Sequence, residues 1–490
     1  MKLRDLLMDL KPVAMRADPK MEIRDICYDS RKVGEGDLFV AIAGLETDGH
    51  LYIADAMKRG AAAILCQRAP EEDVPYVLVE DSREALSYVS ARYFGEPAKE
   101  LKLIGVTGTN GKTTTTLLLA SVLEQCLEAR VGLIGTNEIR IGDEVLPTER
   151  TTPESYELQK ILRKMKDVGC TYVVMEVSSH ALALSRVAGL RFAVGVFTNL
   201  SQDHLDFHKD MDDYARTKAL LFSQSGQGVI NIDDSYAQVM LSAAEEAGCH
   251  VLSFSVDKSE ADILAKNIRL KTGSVEFSVL VPGQIQRMVL RIPGRFSVYN
   301  ALGVVGCAFC LDIPLDRTAD ALGRARGVKG RVEVVPTDGE YTVLIDYAHT
   351  PDALENVLTA VRGFAQGRVV TLFGCGGDRD RSKRPLMGEI AVRLSDFVIV
   401  PSDNPRTECP SAIIDDILRG MKDTKVPCVS IEDRTEAIGY ALDNRQEGDI
   451  IVLAGKGHES YQEVNGVKAH MDEREIVAEH IAKRAREEEV

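Results

Sequence analysis

Along this chain an apolar, β-branched run repeatedly ends in a polar loop, and helical periodicity follows several of these loops. In the middle of the sequence the runs are LIGVTGTNGKT, VGLIGTNE, YVVMEVSSH, VGVFTNLSQDH and GVINIDDS. In the last third they are TVLIDYAHTPD, VVTLFGCGGDRD, FVIVPSDNPR and IIVLAGKGHE. Strands that alternate with helices in this way predict βαβ units and mainly parallel sheets. Between positions 263 and 292 the period changes to the alternating runs VEFSVLVPG and QRMVLRIPG, which predict antiparallel hairpins at a sheet edge. The first part mixes short strands (AAAILC, PYVLVE) with helical stretches around the polar segment YDSRKVGEGDLFVAI, and GEPAKE reads as a linker.

The expected fold is α/β with three domains: a small N-terminal α/β domain over 1–97, a central mainly parallel sheet domain over 98–332, and a C-terminal Rossmann-like α/β domain over 333–490. The length of 490 residues allows this division at roughly 100–200 residues per domain. Open sheets of this kind bind ligands beyond the carboxyl ends of their strands. Nearly every unusual polar cluster of the chain follows a strand.

Charge narrows the picture. The formal net charge is -16, so a nucleic-acid partner is not expected. An acidic protein that binds anionic substrates must concentrate its site cations locally. The start, MKLRDLLMDL, carries Asp5 and Asp9 within its apolar stretch and does not read as a signal peptide. No run reaches the ~18–20 apolar residues of a membrane span. Ten scattered cysteines fit a reduced, cytoplasmic protein, and the single C-x-x-C, Cys307 and Cys310, lies in the apolar stretch ALGVVGCAFCL of a helix.

The most informative stretch is IGVTGTNGKTT at 104–114. A strand leads into a glycine-rich turn and then a helix, an order in which backbone N–H groups and the helix N-terminus hold phosphate oxygens. Gly108, Thr109, Asn110, Gly111, Lys112, Thr113 and Thr114 form the candidate phosphate loop. Lys112 supplies charge to the β- and γ-phosphates, and the Thr113 hydroxyl is placed for Mg²⁺. Val106 stands where the strict P-loop pattern has its first glycine.

GTNGKT is the form this loop takes in Mur ligases and folylpolyglutamate synthetases. Further matches follow in order: YDSR at 28–31, TTPE at 151–154, MEVSSHAL at 175–182, FTNLSQDHLDFH at 197–208 and YARTKALLF at 214–222. Then come GRFSVYNALG, GRVE at 330–333, DYAHTPDAL at 346–354, GCGGDRDRSKRP at 374–385, DNPRTE at 403–408 and AGKGHE at 454–459. The chain resembles the Mur ligase family over essentially its whole length. YDSR, TTPE and DNPR point to the members that extend UDP-N-acetylmuramoyl-L-alanyl-D-glutamate. The resemblance implies a monomeric ATP-dependent ligase of peptidoglycan precursor synthesis. ATP phosphorylates the D-glutamate γ-carboxylate, and the amine of meso-diaminopimelate then attacks the acyl phosphate.

Site residues carry over position by position. The implied magnesium ligands are Thr113, Glu176 and His204, with Lys218 as a carbamate (N6-carboxylysine) for a second Mg²⁺. Lys112, Lys218, Glu176 and His204 form the catalytic set. Without the resemblance Lys218 would read as an ordinary helix lysine, and His204 with His208 would suggest zinc, although the helical H-E-x-x-H context is missing. Asn300, Arg331, Asp346 and His349 resemble ATP contacts. Those placements imply a nucleotide between the second and third domains, where closure would exclude water from the acyl phosphate.

For the nucleotide-sugar peptide, the implied contacts are Tyr28, Ser30 and the turn Leu45, Glu46 and Thr47 at the UDP end. Thr151, Thr152, Ser178 and Arg186 serve the muramoyl-dipeptide end. Leu184 departs from the family, which often has glutamine there. Arg379, Asp403, Asn404, Pro405, Arg406, Gly455 and Glu459 resemble the diaminopimelate site. Alone, DNPR would read as an Asx-type turn. Three other readings remain open at this level: the L-lysine-adding homologue, a folylpolyglutamate synthetase-like ligase, and an ATP-binding regulatory protein without catalysis.

Overall fold

The inner strands of the C-terminal sheet are buried on both faces, as their continuous apolar runs require. Along Ile450–Ala454, Ile450, Val452 and Ala454 enter one hydrophobic cluster, while Ile451 and Leu453 enter another. This is the period-two alternation of a strand covered by helices on both sides. The sheet has six strands in the order Glu333–Val335, Thr342–Asp346, Ile450–Ala454, Val369–Phe373, Phe397–Val400 and Cys428–Ser430. The first pair is antiparallel and the rest are parallel.

This architecture comes from a computed structural model, which describes all residues except Leu45, Glu46, Glu149, Asp206, Thr272, Arg326, Asp423, Glu489 and Val490. The chain divides into two compact units, Met1–Ile263 with Gly303–Pro314, and Leu264–Leu302 with Leu315–Val490.

The first unit holds two sheets. The N-terminal one runs in the order Ala14–Met15, Tyr76–Leu78, Ala63–Cys66, Leu38–Val40 and Ile26–Cys27, parallel but for its first pair. In the other, His250–Ser255, Ser225–Asn231, Phe192–Phe197, Lys102–Thr107, Tyr172–Glu176 and Val131–Ile134 are parallel neighbours. Two short antiparallel strands, Ile139–Ile141 and Glu144–Leu146, follow. Lys102–Thr107, which leads into the phosphate loop, therefore lies centrally.

The second unit holds the six-stranded sheet and the antiparallel run through Ser274–Val281 and Gln284–Leu290 that the alternating pattern predicted. A two-stranded hairpin, Tyr461–Val464 with Val467–His470, follows the AGKGHE loop. The α/β class expected from the sequence is the class observed. Cys307 and Cys310 lie on the helix Arg295–Cys310, and all ten cysteines are unbridged. No helix among the described residues is long and apolar enough to cross a membrane.

Candidate active site

The phosphate loop forms between the central strand Lys102–Thr107 and the helix Lys112–Leu127. Two glycines make the turn possible. Gly108 has φ +146, and a Cβ there would meet Thr198 Oγ1 at 1.9 Å; Gly111 has φ +83 and begins the helix. Both conformations are open to glycine and disfavoured for other residues. The FTNLSQ segment grips the loop from the side. Thr198 Oγ1 donates to Asn110 O (2.7 Å), Asn110 N donates to Asn199 Oδ1 (3.0 Å), and Thr109 N donates to Asn199 O (2.8 Å).

Glu176 ends the neighbouring parallel strand Tyr172–Glu176 and is 1% exposed. Its Oε1 accepts from Thr113 Oγ1 (2.9 Å) and Thr136 N (2.8 Å), and its Oε2 accepts from Thr136 Oγ1 (3.1 Å). These donors are neutral, and Glu176 has no ion pair among the described residues. A buried carboxylate without a cation is costly. An oxygen-rich site holding a threonine hydroxyl beside that carboxylate suits a hard divalent cation. Glu176 and Thr113 therefore fit the Mg²⁺ that the sequence reading assigned to them. The hydrogen-bond chain continues from Thr136 Oγ1 to Thr151 Oγ1 (3.0 Å), so the TTPE segment joins the same cluster. Thr152 Oγ1 donates to Glu176 O (2.8 Å), Ser178 N donates to Thr152 Oγ1 (3.1 Å), and Arg186 bonds both Thr152 O (3.2 Å) and Glu154 (2.8 Å). Thr136 escaped the sequence reading, because a threonine after a strand carries no signal until the fold sets it on Glu176.

Lys218 is 1% exposed on the helix Met211–Ser223. Its Nζ donates to Gly108 O (2.9 Å), the same carbonyl that accepts from Lys112 Nζ (3.0 Å). Burial holds the Lys218 pKa well below the ordinary lysine value, and the neighbouring Lys112 charge lowers it further. Tyr214, also missed by the sequence reading, lies under Lys218 with its ring 4.5 Å from Nζ. Its hydroxyl is 3.3 Å from Thr109 Oγ1, and its ring is 6.1 Å from that of His204. His204 itself has φ +54 and packs edge-on against His180 at 4.9 Å. His208 is buried, with Nε2 2.9 Å from Ser179 Oγ and Nδ1 3.4 Å from Asp213. Among the described residues no group of three or more His, Cys, Asp or Glu side chains is placed to hold a metal ion.

At the expected UDP end, Tyr28 donates to Glu157 Oε2 (2.8 Å), and burial together with that carboxylate raises the phenol pKa. Ser30 begins a short 3₁₀ turn, and Thr47 Oγ1 is 3.1 Å from Tyr52 OH. Leu45 and Glu46 lie outside the described residues. Leu184 ends the helix Ser179–Ala183, two residues before Arg186.

The second unit gathers its polar loops at the carboxyl ends of its strands. Asp346 is buried, accepts from Val332 N and Ala348 N (both 2.8 Å), and has its pKa raised by burial, against the pull of Arg331. Arg331 lies over the Tyr347 ring at 5.2 Å, and the rings of His349 and His458 pack against the same ring at 4.6 and 4.9 Å. Asn300 is buried on the helix Arg295–Cys310. Lys383 donates to His349 O (2.8 Å) and so ties SKRP to DYAHT.

The DNPR loop meets both GCGGDRD and AGKGHE. Arg406 Nη1 donates to Gly377 O (2.8 Å), and Asn404 Nδ2 donates to Glu459 Oε2 (2.9 Å). Asp403 Oδ1 accepts from Asn404 N (2.7 Å), and Pro405 turns the chain between Asn404 and Arg406. Gly455 has φ +110, and a Cβ there would meet Asp403 Oδ2 at 2.8 Å. Arg379 is exposed, with Nη1 on Asp378 O (3.0 Å). Beneath the loops Arg384, 1% exposed, pairs with Glu408 (2.8 Å) and Asp416 (3.0 Å). The arginine holds the Glu408 pKa down to about 2. Sequence reading passed over Arg384, because its partners lie 24 and 32 residues away.

Residues 22–94 match the Mur ligase family catalytic domain, 106–308 the Mur ligase middle domain, and 330–457 the Mur ligase glutamate ligase domain. A relative from Caldanaerobacter subterraneus subsp. tengcongensis, named UDP-N-acetylmuramoyl-L-alanyl-D-glutamate--2,6-diaminopimelate ligase, is 48% identical over 485 residues, 98% of this chain and 99% of the relative. One of the same name from Clostridium botulinum is 45% identical over 469 residues, 94% of this chain and 96% of the relative. A solved structure of a ligase of that name aligns with TM-score 0.75 at 32% identity, covering 99% of both chains. A folylpolyglutamate synthase of Mycobacterium tuberculosis, with TM-score 0.62 at 17% identity over 76% of this chain and 92% of that one, shares the fold. With three domain matches and near-complete alignment to relatives well above 30% identity, the chain belongs to the Mur ligase family.

Proposed function

We infer that this chain is the ATP-dependent ligase that joins meso-diaminopimelate to the D-glutamate γ-carboxylate of UDP-N-acetylmuramoyl-L-alanyl-D-glutamate, in cytoplasmic peptidoglycan precursor synthesis. The observation that carries the reading is the assembly of Asn404, Arg406 and Glu459 at one loop cluster, in a chain 48% identical to a relative of that name. We assign 1–97 to the UDP-substrate domain, 98–332 to the ATP domain and 333–490 to the amino-acid domain, and take the working enzyme to be a monomer.

The chemistry follows from the residues. A carboxylate oxygen of the dipeptide attacks the γ-phosphorus of ATP, and ADP leaves. The diaminopimelate amine then attacks the acyl carbon, loses a proton, and expels phosphate. Both steps crowd negative charge, so positioned cations and donors supply most of the acceleration. The loop N–H groups and Lys112 hold the triphosphate. Thr113 and Glu176 would hold Mg²⁺, which would neutralise phosphate charge. Thr151, Thr152, Ser178 and Arg186 orient the dipeptide beside that carboxylate. Asn300, Asp346, His349 and Arg331 are assigned as nucleotide contacts on the family resemblance. Asp403, Asn404, Arg406, Glu459 and Arg379 hold the amino acid. The purified enzyme is expected to release phosphate with UDP-muramoyl-dipeptide and meso-diaminopimelate, and far less with L-lysine. Release with folate and glutamate instead would replace this reading with the folylpolyglutamate one, which rests on fold likeness alone.

Lys218 is assigned as a carbamate. Burial lowers the pKa of its amine, which favours the neutral form that attacks the carbon of CO₂. The nitrogen loses a proton and the group gains one negative charge, which pairs with Lys112 instead of repelling it and presents oxygen to Mg²⁺. Enzyme equilibrated with ¹³C-bicarbonate is expected to show a carbamate resonance that Lys218→Arg lacks. Density for an unmodified ammonium in crystals active with ATP and Mg²⁺ would refute the assignment.

A further inference from the structure

The lysine inside AGKGHE has no role in the chemistry above, yet it is 0% exposed. Its Nζ donates to Asn404 Oδ1 (2.7 Å), to Glu459 Oε2 (3.2 Å) and to the carbonyl of Tyr461. Burial holds its pKa below the ordinary lysine value, against the pull of Asp403 and Glu459. A buried ammonium has three donors and no acceptor, so every neighbour within reach must be an acceptor. That requirement decides how the Asn404 amide lies. Its oxygen faces Lys456 and also accepts from Glu463 N (2.9 Å), leaving its nitrogen to donate to Glu459 Oε2 (2.9 Å). Both donors therefore converge on one oxygen of Glu459. The other, Oε1, accepts no hydrogen bond among the described residues.

We infer that Lys456 is a positioning residue for the amino-acid substrate: by fixing the Asn404 amide and anchoring Glu459 through Oε2, it presents Oε1 as the acceptor for the substrate's ammonium. The inference rests on the reading that DNPR and AGKGHE hold the amino acid. Two effects of Lys456 oppose each other. Its charge repels the incoming ammonium, while its hydrogen bond and that of the Asn404 amide hold Glu459 Oε2 in place. The second effect dominates, because an unanchored carboxylate turns toward other donors and no longer offers Oε1 at a fixed place.

The test is a double-mutant cycle on diaminopimelate kinetics. Lys456→Met is expected to raise the KM for diaminopimelate about tenfold, while the KM for ATP stays unchanged. Glu459→Gln is expected to raise it further, and the double variant to match Glu459→Gln alone, because Lys456 acts through Glu459. Should the Met variant fail to fold, as judged by its thermal midpoint, Lys456→Gln keeps one donor toward Asn404 and carries the same prediction with a smaller rise. Additive effects would overturn the inference, as would a KM that falls when the lysine charge is removed. If Glu459→Gln itself leaves the KM unchanged, the amino-acid-site reading fails and takes this inference with it. If Glu459→Gln raises the KM and the Lys456 variants do not, only the positioning role is lost.

Discussion

Lys112→Ala is expected to slow phosphate release by about 10²–10³, the loss of ~3–4 kcal/mol typical of removing one positioned charge from a largely dry phosphoryl-transfer site. Lys112 opens the helix Lys112–Leu127, and its Nζ already bridges the loop carbonyls of Gly108 (3.0 Å) and Thr109 (2.8 Å). The ammonium is thus held within the loop assigned to the triphosphate. The turn itself depends on Gly108, Gly111 and the Thr198 and Asn199 bonds, so the alanine variant should fold with a thermal midpoint close to that of the unmutated chain. Its ATP affinity should fall together with turnover. Near-normal ADP production by Lys112→Ala would remove the phosphate-loop assignment altogether.

Arg406→Ala is expected to abolish the preference for meso-diaminopimelate over lysine while leaving ATP binding in place. The two amino acids differ at the far end, where diaminopimelate carries an additional carboxylate. A guanidinium is a planar fork suited to that group. Arg406 has φ +51, unusual for a residue with a side chain, and the neighbouring hairpin enforces it. Arg406 N donates to Glu463 O (3.1 Å), and Asn465 N donates to Arg406 O (2.8 Å). Nη1 rests on Gly377 O (2.8 Å), Nε lies 3.5 Å from Glu463, and Nη2 makes no bond among the described residues. Truncating one member of a desolvated charge pair costs about 2–5 kcal/mol. The Arg406 side chain is 21% exposed, so the lower end applies, about 2 kcal/mol or roughly 30-fold in kcat/KM for diaminopimelate. Equal efficiency of the unmutated enzyme with lysine and diaminopimelate would show that Arg406 does not read the distal carboxylate.

What the amino-acid order determined by itself was local or repetitive. Apolar runs ending in polar loops gave the parallel sheets, because burial on both faces leaves no other pattern for such strands. The change of period after position 263 marked the antiparallel strands. GTNGKT was legible because a phosphate turn is built from consecutive residues: glycines for the backbone, lysine for the charge, threonine for the metal. Only the tertiary structure decided which distant side chains share a charge or a hydrogen bond. Thr136 became a partner of Glu176 because two parallel strands end side by side. Lys218 was singled out only by the family resemblance, and the fold is what buries it against the Gly108 carbonyl beside Lys112. Arg384 met Glu408 and Asp416, and Lys456 met Asn404, across tens of residues. Burial lowers the dielectric around such groups and makes an unmatched charge costly, so their roles depend on what surrounds them. A linear pattern of residue types does not record those surroundings.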